Sequence, residues 1–294
     1  MEQRLPTRLC GGEFGAQELA TIHEIVGSAQ PRLRAEIARR VCDALGWQDT
    51  VGRAKLMSAR VALLKLHRLG LIELPPARNG NGNAQALSRQ KPTLPEAVAM
   101  EAPAGQLEDL HLARVESKEL SALWNGLIDR YHYLGYQPMA GAQLRYLIRW
   151  RGGELGALGW GAAAWKVGPR DRWIGWDARM REKHLGLVLN NARFLILPWI
   201  RSKNLASKVL AMSARRVKED FERVYGLRPV LLESFVESGR YRGTCYRAAN
   251  WLHLGHTQGR GKCDREHRAA LPVKEIYALP LEKDFRSRLL GVGA

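Results

Sequence analysis

The chain has 294 residues, 46% hydrophobic and 26% charged; that is enough apolar sequence for a sizeable core and two domains, and it excludes a fibrous or wholly disordered chain. Its 46 Lys and Arg against 29 Asp and Glu give a formal charge of +17, which favours a polyanionic partner, because each phosphate met by Lys or Arg releases condensed counterions. No apolar run approaches the roughly 20 residues that cross a bilayer, and Met1 to Cys10 lacks an apolar signal core, so no membrane association and a cytoplasmic location are expected.

The first segment reads as three helices. Glu18 to Val26 has apolar residues at helical spacing and stops at Gly27-Ser28. Pro31 opens a second helix, with Leu33, Ile37, Val41, Cys42 and Leu45 recurring three and four apart. A third runs from about Arg53 to Leu69, with Leu56, Val61, Leu63, Leu64 and Leu66 as its apolar positions and Arg53, Lys55, Arg60, Lys65 and Arg68 as its cations. Gly70 ends it, and Leu71 to Leu74 reads as a short strand closed by Pro75-Pro76. Three helices, the last one basic, followed by a strand form the plan of a winged helix-turn-helix, whose third helix enters the major groove. The expectation is a winged-helix-like DNA-binding domain over 1–76, the alternative being a plain helical packing domain.

Asn79-Gly80-Asn81-Gly82-Asn83 and Pro92-Thr93-Leu94-Pro95 hold no regular element, so 77–104 is expected to be a linker. The body, 105–294, then alternates. Leu110–Val115 reads as a strand, and Ser117 caps a helix through Tyr133. Gln143–Arg149 and Leu155–Trp165 read as a hairpin turned at Gly152-Gly153. A buried strand over Asn191–Trp199 leads to a long amphipathic helix, Leu205–Tyr225, stopped by Gly226. Pro229–Val236 is another buried strand, Tyr246–Asn250 a short helix, and Trp251–Thr257 and Ile276–Leu281 the last strands.

This order of elements resembles the GNAT acetyltransferase fold, so the fold class expected is α/β (α+β): a winged-helix-like head, then a GNAT-like mixed sheet with flanking helices. In GNAT enzymes the loop after the central strand carries Arg/Gln-x-x-Gly-x-Gly/Ala, whose backbone N–H groups hold the pyrophosphate of coenzyme A. The matching stretch here is Arg201-Ser202-Lys203-Asn204-Leu205-Ala206, with Asn204 in place of the first glycine. The chain also resembles, over nearly its whole length, the DruA family of Druantia anti-phage defence systems, a family also met near transposases. Seven phrases in order carry that resemblance: Arg130–Gly135, Arg170–Trp176, Asn191–Pro198, Asn204–Ser207, Glu233–Val236, Gly243–Trp251 and Gly255–Gly261. It implies a role in phage defence or mobile-element biology.

For chemistry, Glu233 on a central strand is a candidate general base or, with Asp171 or Asp264, a ligand for a divalent metal; a structural carboxylate paired with Arg is the alternative. Tyr246 is a candidate acid or nucleophile towards phosphate, or a packed tyrosine with one hydrogen bond. Asp171 reads as the partner of Arg170 and Arg172. Arg260, Lys262 and Arg265 on a glycine-rich loop, with Arg242 and Arg247 near in sequence, are candidates for phosphate contact, together with the cations of the third helix. Tyr131-His132-Tyr133 and Trp173-Ile174-Gly175-Trp176 are either stacking platforms for bases or core. Cys10, Cys42, Cys245 and Cys263 form no CxxC pair, and Cys42 reads as a core residue. His253, His256, Cys263 and His267 have zinc-type side chains, but a cationic loop interrupts them and no metal site is assigned. Three readings stand in order: a DNA-binding component of a defence or mobile-element system, working with other defence proteins and without a cofactor; a DNA-processing nickase or recombinase accessory using Glu233, Tyr246 and Asp264 with magnesium; and a coenzyme A-dependent acyltransferase.

Overall fold

Apolar residues three and four apart turn the first segment into α1 (Ala16–Ser28), α2 (Arg34–Ala44) and α3 (Leu56–Arg68), preceded by a two-strand ribbon of β1 (Arg8–Leu9) and β2 (Gly12–Glu13). The computed structural model describes residues 8–10, 12–28, 33–49, 52–76, 94–139, 141–151, 153–259 and 271–291. It divides into two units, residues 1–89 and 90–294. Ile22, Ile37, Val41, Cys42, Leu63 and Leu66 form the core of the first unit, closed at one end by an edge-to-face contact of Phe14 with Trp47.

The expected strand over Leu71–Leu74 is not formed. Gly70, at φ +71°, reverses the chain, and the Leu71 N–H donates back to the Leu66 carbonyl. The Leu74 N–H donates to His67 Nδ1. Ile72 and Leu74 are buried in the helical core, and Pro75-Pro76 have no N–H with which to continue a ladder. The segment is spent on packing against α3, so a three-helix unit is what the described residues show.

The second unit is a mixed α/β layer structure. Its elements are β3 (His111–Arg114), α4 (Lys118–Tyr131), β4 (Leu144–Trp150), β5 (Gly153–Ala162), α5 (Gly168–Ile174), α6 (Ala178–His184), β6 (Val188–Ile196), α7 (Leu205–Tyr225), β7 (Leu231–Glu237), α8 (Thr244–Ala248), β8 (Leu252–His256), β9 (Lys274–Pro280) and α9 (Phe285–Leu290). The sheet has seven strands in the order β3-β4-β5-β6-β7-β9-β8. All neighbours are antiparallel except β6 and β7. Ser117 caps α4 as expected, its Oγ accepting from the Leu120 N–H, and α7 runs as expected from Leu205 to Tyr225, with Gly226 at φ +68° ending it. α5, α6 and α9 were not anticipated; each is seven residues or fewer, too short for a helical period to show. The region expected to be a linker, 77–104, is in part outside the described residues. Its end is tied to the body: the Met100 N–H donates to Trp199, Arg201 N–H to Met100, and Ala104 N–H to Lys203.

One face of the sheet encloses a polar network. Arg170, fully buried, donates to Glu233 Oε2 at 2.7 Å and to the Ala164 carbonyl at 2.9 Å, and through Nε and Nη2 to Asp171 Oδ1 at 2.9 and 2.7 Å. Glu233 Oε1 accepts from the Ala164 N–H. Asp171 accepts from the Val167 N–H, the Trp176 indole and Arg181. Burial pushes the Glu233 carboxyl up, and Arg170 and the Ala164 N–H pull it back. Two carboxylates converge on one guanidinium; Asp171 also has Arg181, so removing Arg170 leaves the fully buried Glu233 uncompensated. Arg170→Met is therefore expected to cost about 3–5 kcal/mol in urea denaturation; a loss below ~1 kcal/mol would mean that the network does not hold this face together.

Candidate functional site

β6 and β7 pair in parallel only from Val188 opposite Leu231 to Asn191 opposite Ser234. Beyond that point β6 stays with β5 as far as Ile196, while β7 stays with β9 as far as Glu237. Each strand follows its other neighbour, the two part, and a cleft of about 510 Å³ opens. Its walls come from Tyr131 at the end of α4 and the following His132 to Leu134, from β6, from β7 and from the segment Tyr241 to Tyr246.

Tyr246 sits where the strands part. Its hydroxyl donates to Asn191 Oδ1 at 2.7 Å and accepts from Ser234 Oγ at 3.0 Å, and Asn191 in turn donates to the Gly159 carbonyl. The ring stacks on Tyr277 at 5.4 Å and meets Trp251 edge-on at 5.2 Å. Burial pushes the hydroxyl above the ordinary tyrosine range, so it keeps its proton at neutral pH and joins the strands.

Among the described residues the lining contains no aspartate or glutamate; its charged groups are Arg193, Arg242 and Lys274. Arg193 Nη1 donates to the Ala192 carbonyl, while its buried Nε has no hydrogen-bond partner among the described residues. Burial, and then the neighbouring Arg193 charge, push His132 down to about 4. His132 stacks on Tyr133 at 4.9 Å, Tyr133 meets Tyr241 at 5.4 Å, and the Arg240 guanidinium lies 4.9 Å from the Tyr133 ring. A cleft with cations, an unmet donor and an aromatic rim suits an anion carrying a planar group.

The structure separates the residues singled out for chemistry. Glu233 and Ser234 are consecutive on β7, so they project from opposite faces. Glu233 belongs to the Arg170 network and Tyr246 to the cleft, and the two do not meet. Asp171 joins Glu233, through Arg170. Asp264 lies outside the described residues, as do Arg260, Lys262 and Arg265. Arg242 lines the cleft. Arg247, on α8, donates to the Tyr277 hydroxyl at 2.8 Å. Arg53, Lys55, Arg60, Lys65 and Arg68 are all exposed on the first unit. Of the two aromatic phrases, Tyr131 to Tyr133 lines the cleft, whereas Trp176 is buried over Arg170 and Trp173 stacks on Phe285. Sequence reading missed Arg193, Lys274 and Tyr241 as lining groups. Arg193 carried a signal: it is a lone charge directly before the apolar run Phe194-Leu195-Ile196-Leu197.

The profile of the family described as Druantia protein DruA matches residues 65–270. The chain belongs to the DruA family. Among functionally curated proteins none matches. Solved structures similar to the chain include acetyltransferases. One, from Desulfovibrio desulfuricans and assigned to the GNAT family, is 12% identical, with 59% of this chain and 99% of that one covered and a TM-score of 0.36. Another, the aminoglycoside acetyltransferase AAC(6')-Ib in complex with coenzyme A, is 13% identical, with 60% and 99% covered and a TM-score of 0.40. Mycobacterium smegmatis RimJ, in complex with CoA-disulfide, is 15% identical, with 63% and 92% covered and a TM-score of 0.34.

His132 makes stability depend on pH in a defined direction. Its folded value, about 4, lies below the ordinary value near 6.5, so between the two the unfolded chain binds the extra proton. The folded state is expected to lose stability as pH falls through that window, and His132→Gln to lose less. Parallel urea curves for the two proteins from pH 7 to 4.5 check this; identical pH dependence would contradict it.

Proposed function

We propose that the chain is a DNA-binding component of an anti-phage defence or mobile-element system. The observation that carries this reading is the outward face of the first unit: Arg53, Lys55, Arg60, Lys65 and Arg68 are all exposed, and α3 contains no acidic residue. Met57 and Val61 are exposed beside them, at 67% and 43%. A helix face that mixes cations with apolar side chains suits phosphates together with the less polar edges of bases. The body adds the acid-free cleft, whose aromatic rim and cations suit a nucleotide. Membership of the DruA family supports the defence setting, with DNA and other defence proteins as partners. The DNA-processing alternative draws no support from Glu233 and Tyr246, which lie on opposite faces and are hydrogen-bonded internally.

Fluorescence anisotropy with labelled duplex and single-stranded DNA over a salt series tests the proposal. Affinity is expected to fall steeply with salt, the slope of log K against log [salt] losing about one unit for each phosphate-contacting cation removed. Arg60→Gln, Lys65→Gln and Arg68→Gln combined should flatten it. A flat salt response, or a triple variant that binds like the parent, contradicts the reading.

One observation favours a second reading, the acyltransferase. Asn204 starts the 21-residue helix α7 at φ +65°, the left-handed region a glycine would take, so the loop keeps a glycine-like backbone shape despite its side chain. Calorimetry with acetyl-coenzyme A decides: on this reading Asn204→Gly binds it more tightly than the parent, while no heat from either protein at millimolar ligand removes the reading.

A further inference from the structure

The edge of the sheet carries side chains that neither the cleft nor the Arg170 network uses. β8 is an edge strand, antiparallel to β9. Residues directly opposed in such a ladder project from the same face. His253 is opposed to Tyr277, and His256 to Glu275. Three residues apart on a regular strand, the two histidines would point to opposite faces. The register shifts between His253 and Gly255, where Leu254 is the extra residue and Gly255 sits at φ +115°. This bulge returns His256 to the face of His253. The two rings lie 5.2 Å apart, and Glu275 and Tyr277, two apart on β9, share that face.

We propose that His253, His256 and Glu275 bind a divalent first-row metal ion, with zinc the best match, and leave one position open for water or an anionic oxygen. One ligand atom from each of the three lies within 4.8 Å of the others. Tetrahedral zinc with bonds near 2.0–2.1 Å sets its ligands about 3.3 Å apart. Both histidines are exposed, so ring rotation can close that difference. Two imidazoles and a carboxylate form a three-ligand set that zinc takes with a fourth position free, whereas magnesium and calcium favour oxygen throughout.

The carboxylate is oriented before any ion arrives. The Tyr277 hydroxyl donates to Glu275 Oε2 and accepts from Arg247 Nη1 at 2.8 Å. Tyr277 is itself fixed, stacked on Tyr246 at 5.4 Å. Gly243 lies so close that a Cβ there would stand 2.2 Å from the Tyr277 hydroxyl. A partner that holds a metal-binding carboxylate from behind sharpens the site. Arg247 comes within 3.9 Å of Glu275, with its side chain half exposed, so water screens its charge. The sequence-based grouping joined the two histidines with Cys263 and His267, which lie outside the described residues; Glu275, 19 positions beyond His256, supplies the third ligand here. The proposal does not rest on the DNA-binding reading.

Metal-stripped full-length chain is titrated with Zn²⁺ against a chromophoric chelator, and with Co²⁺ for its visible spectrum. The parent is expected to withhold one equivalent of zinc and to give a four- or five-coordinate cobalt spectrum. The double variant His253→Ala/His256→Ala should lose both, its zinc-free melting temperature remaining that of the parent. Tyr277→Phe, as a positioning change, should weaken zinc on the order of 10- to 100-fold and keep the cobalt bands. Should the double variant fail to fold, His256→Gln and Glu275→Gln, made singly, test the same three-ligand site, each being expected to weaken zinc binding. No withheld zinc, or zinc held undiminished by these variants, overturns the assignment.

Discussion

The second unit depends on a single place in its sheet, where two parallel strands stop pairing. After Asn191 and Ser234, β6 keeps its bonds to β5 and β7 keeps its bonds to β9. The gap between them would cost unmet polar groups if nothing filled its root. Tyr246 fills it, bonded to a side chain from each strand and held by ring contacts with Tyr277 and Trp251. The cleft above it is a built feature of the sheet, and Arg193, Arg242 and Lys274 are among the residues that line it.

The opposite face solves a different problem. There Glu233 and Asp171 are withdrawn from solvent and paired with Arg170 and Arg181. These two carboxylates sit away from solvent, and Arg193, Arg242 and Lys274 line the opening. Such a division shows how a protein of formal charge +17 can fold around buried carboxylates and still line a cleft with cations. In the first unit the same excess appears on the outward side of α3, and the inward side is apolar.

Much of this was legible in the sequence, for identifiable reasons. α1, α2, α3 and α7 are long enough for apolar spacing to show, and glycines at positive φ end α3 and α7 where the sequence marked them. The strands of the body were placed because short leucine-rich and aromatic runs bounded by breakers carry their own signal. Leu71 to Leu74 misled because a short apolar run reads the same whether it pairs as a strand or packs on a helix; His67 decided it, by accepting from the Leu74 N–H. The Arg170–Glu233 pair joins positions 63 apart in sequence, which no local pattern shows. The cleft was invisible for the same reason, since it exists only where two distant strands diverge. The His253 and His256 pairing needed the bulge at Leu254-Gly255, because strand alternation alone places the two on opposite faces.

A chain that grips a polynucleotide with the exposed face of α3 and with the acid-free cleft must shield both when the ligand binds. Hydrogen–deuterium exchange of the full chain, with and without a saturating oligonucleotide, measures that shielding segment by segment. Slowed exchange is expected in α3 and in the cleft segments around residues 131–134 and 241–246, with the α7 core unchanged. Equal exchange in both of those places with the oligonucleotide present would contradict the DNA-gripping reading.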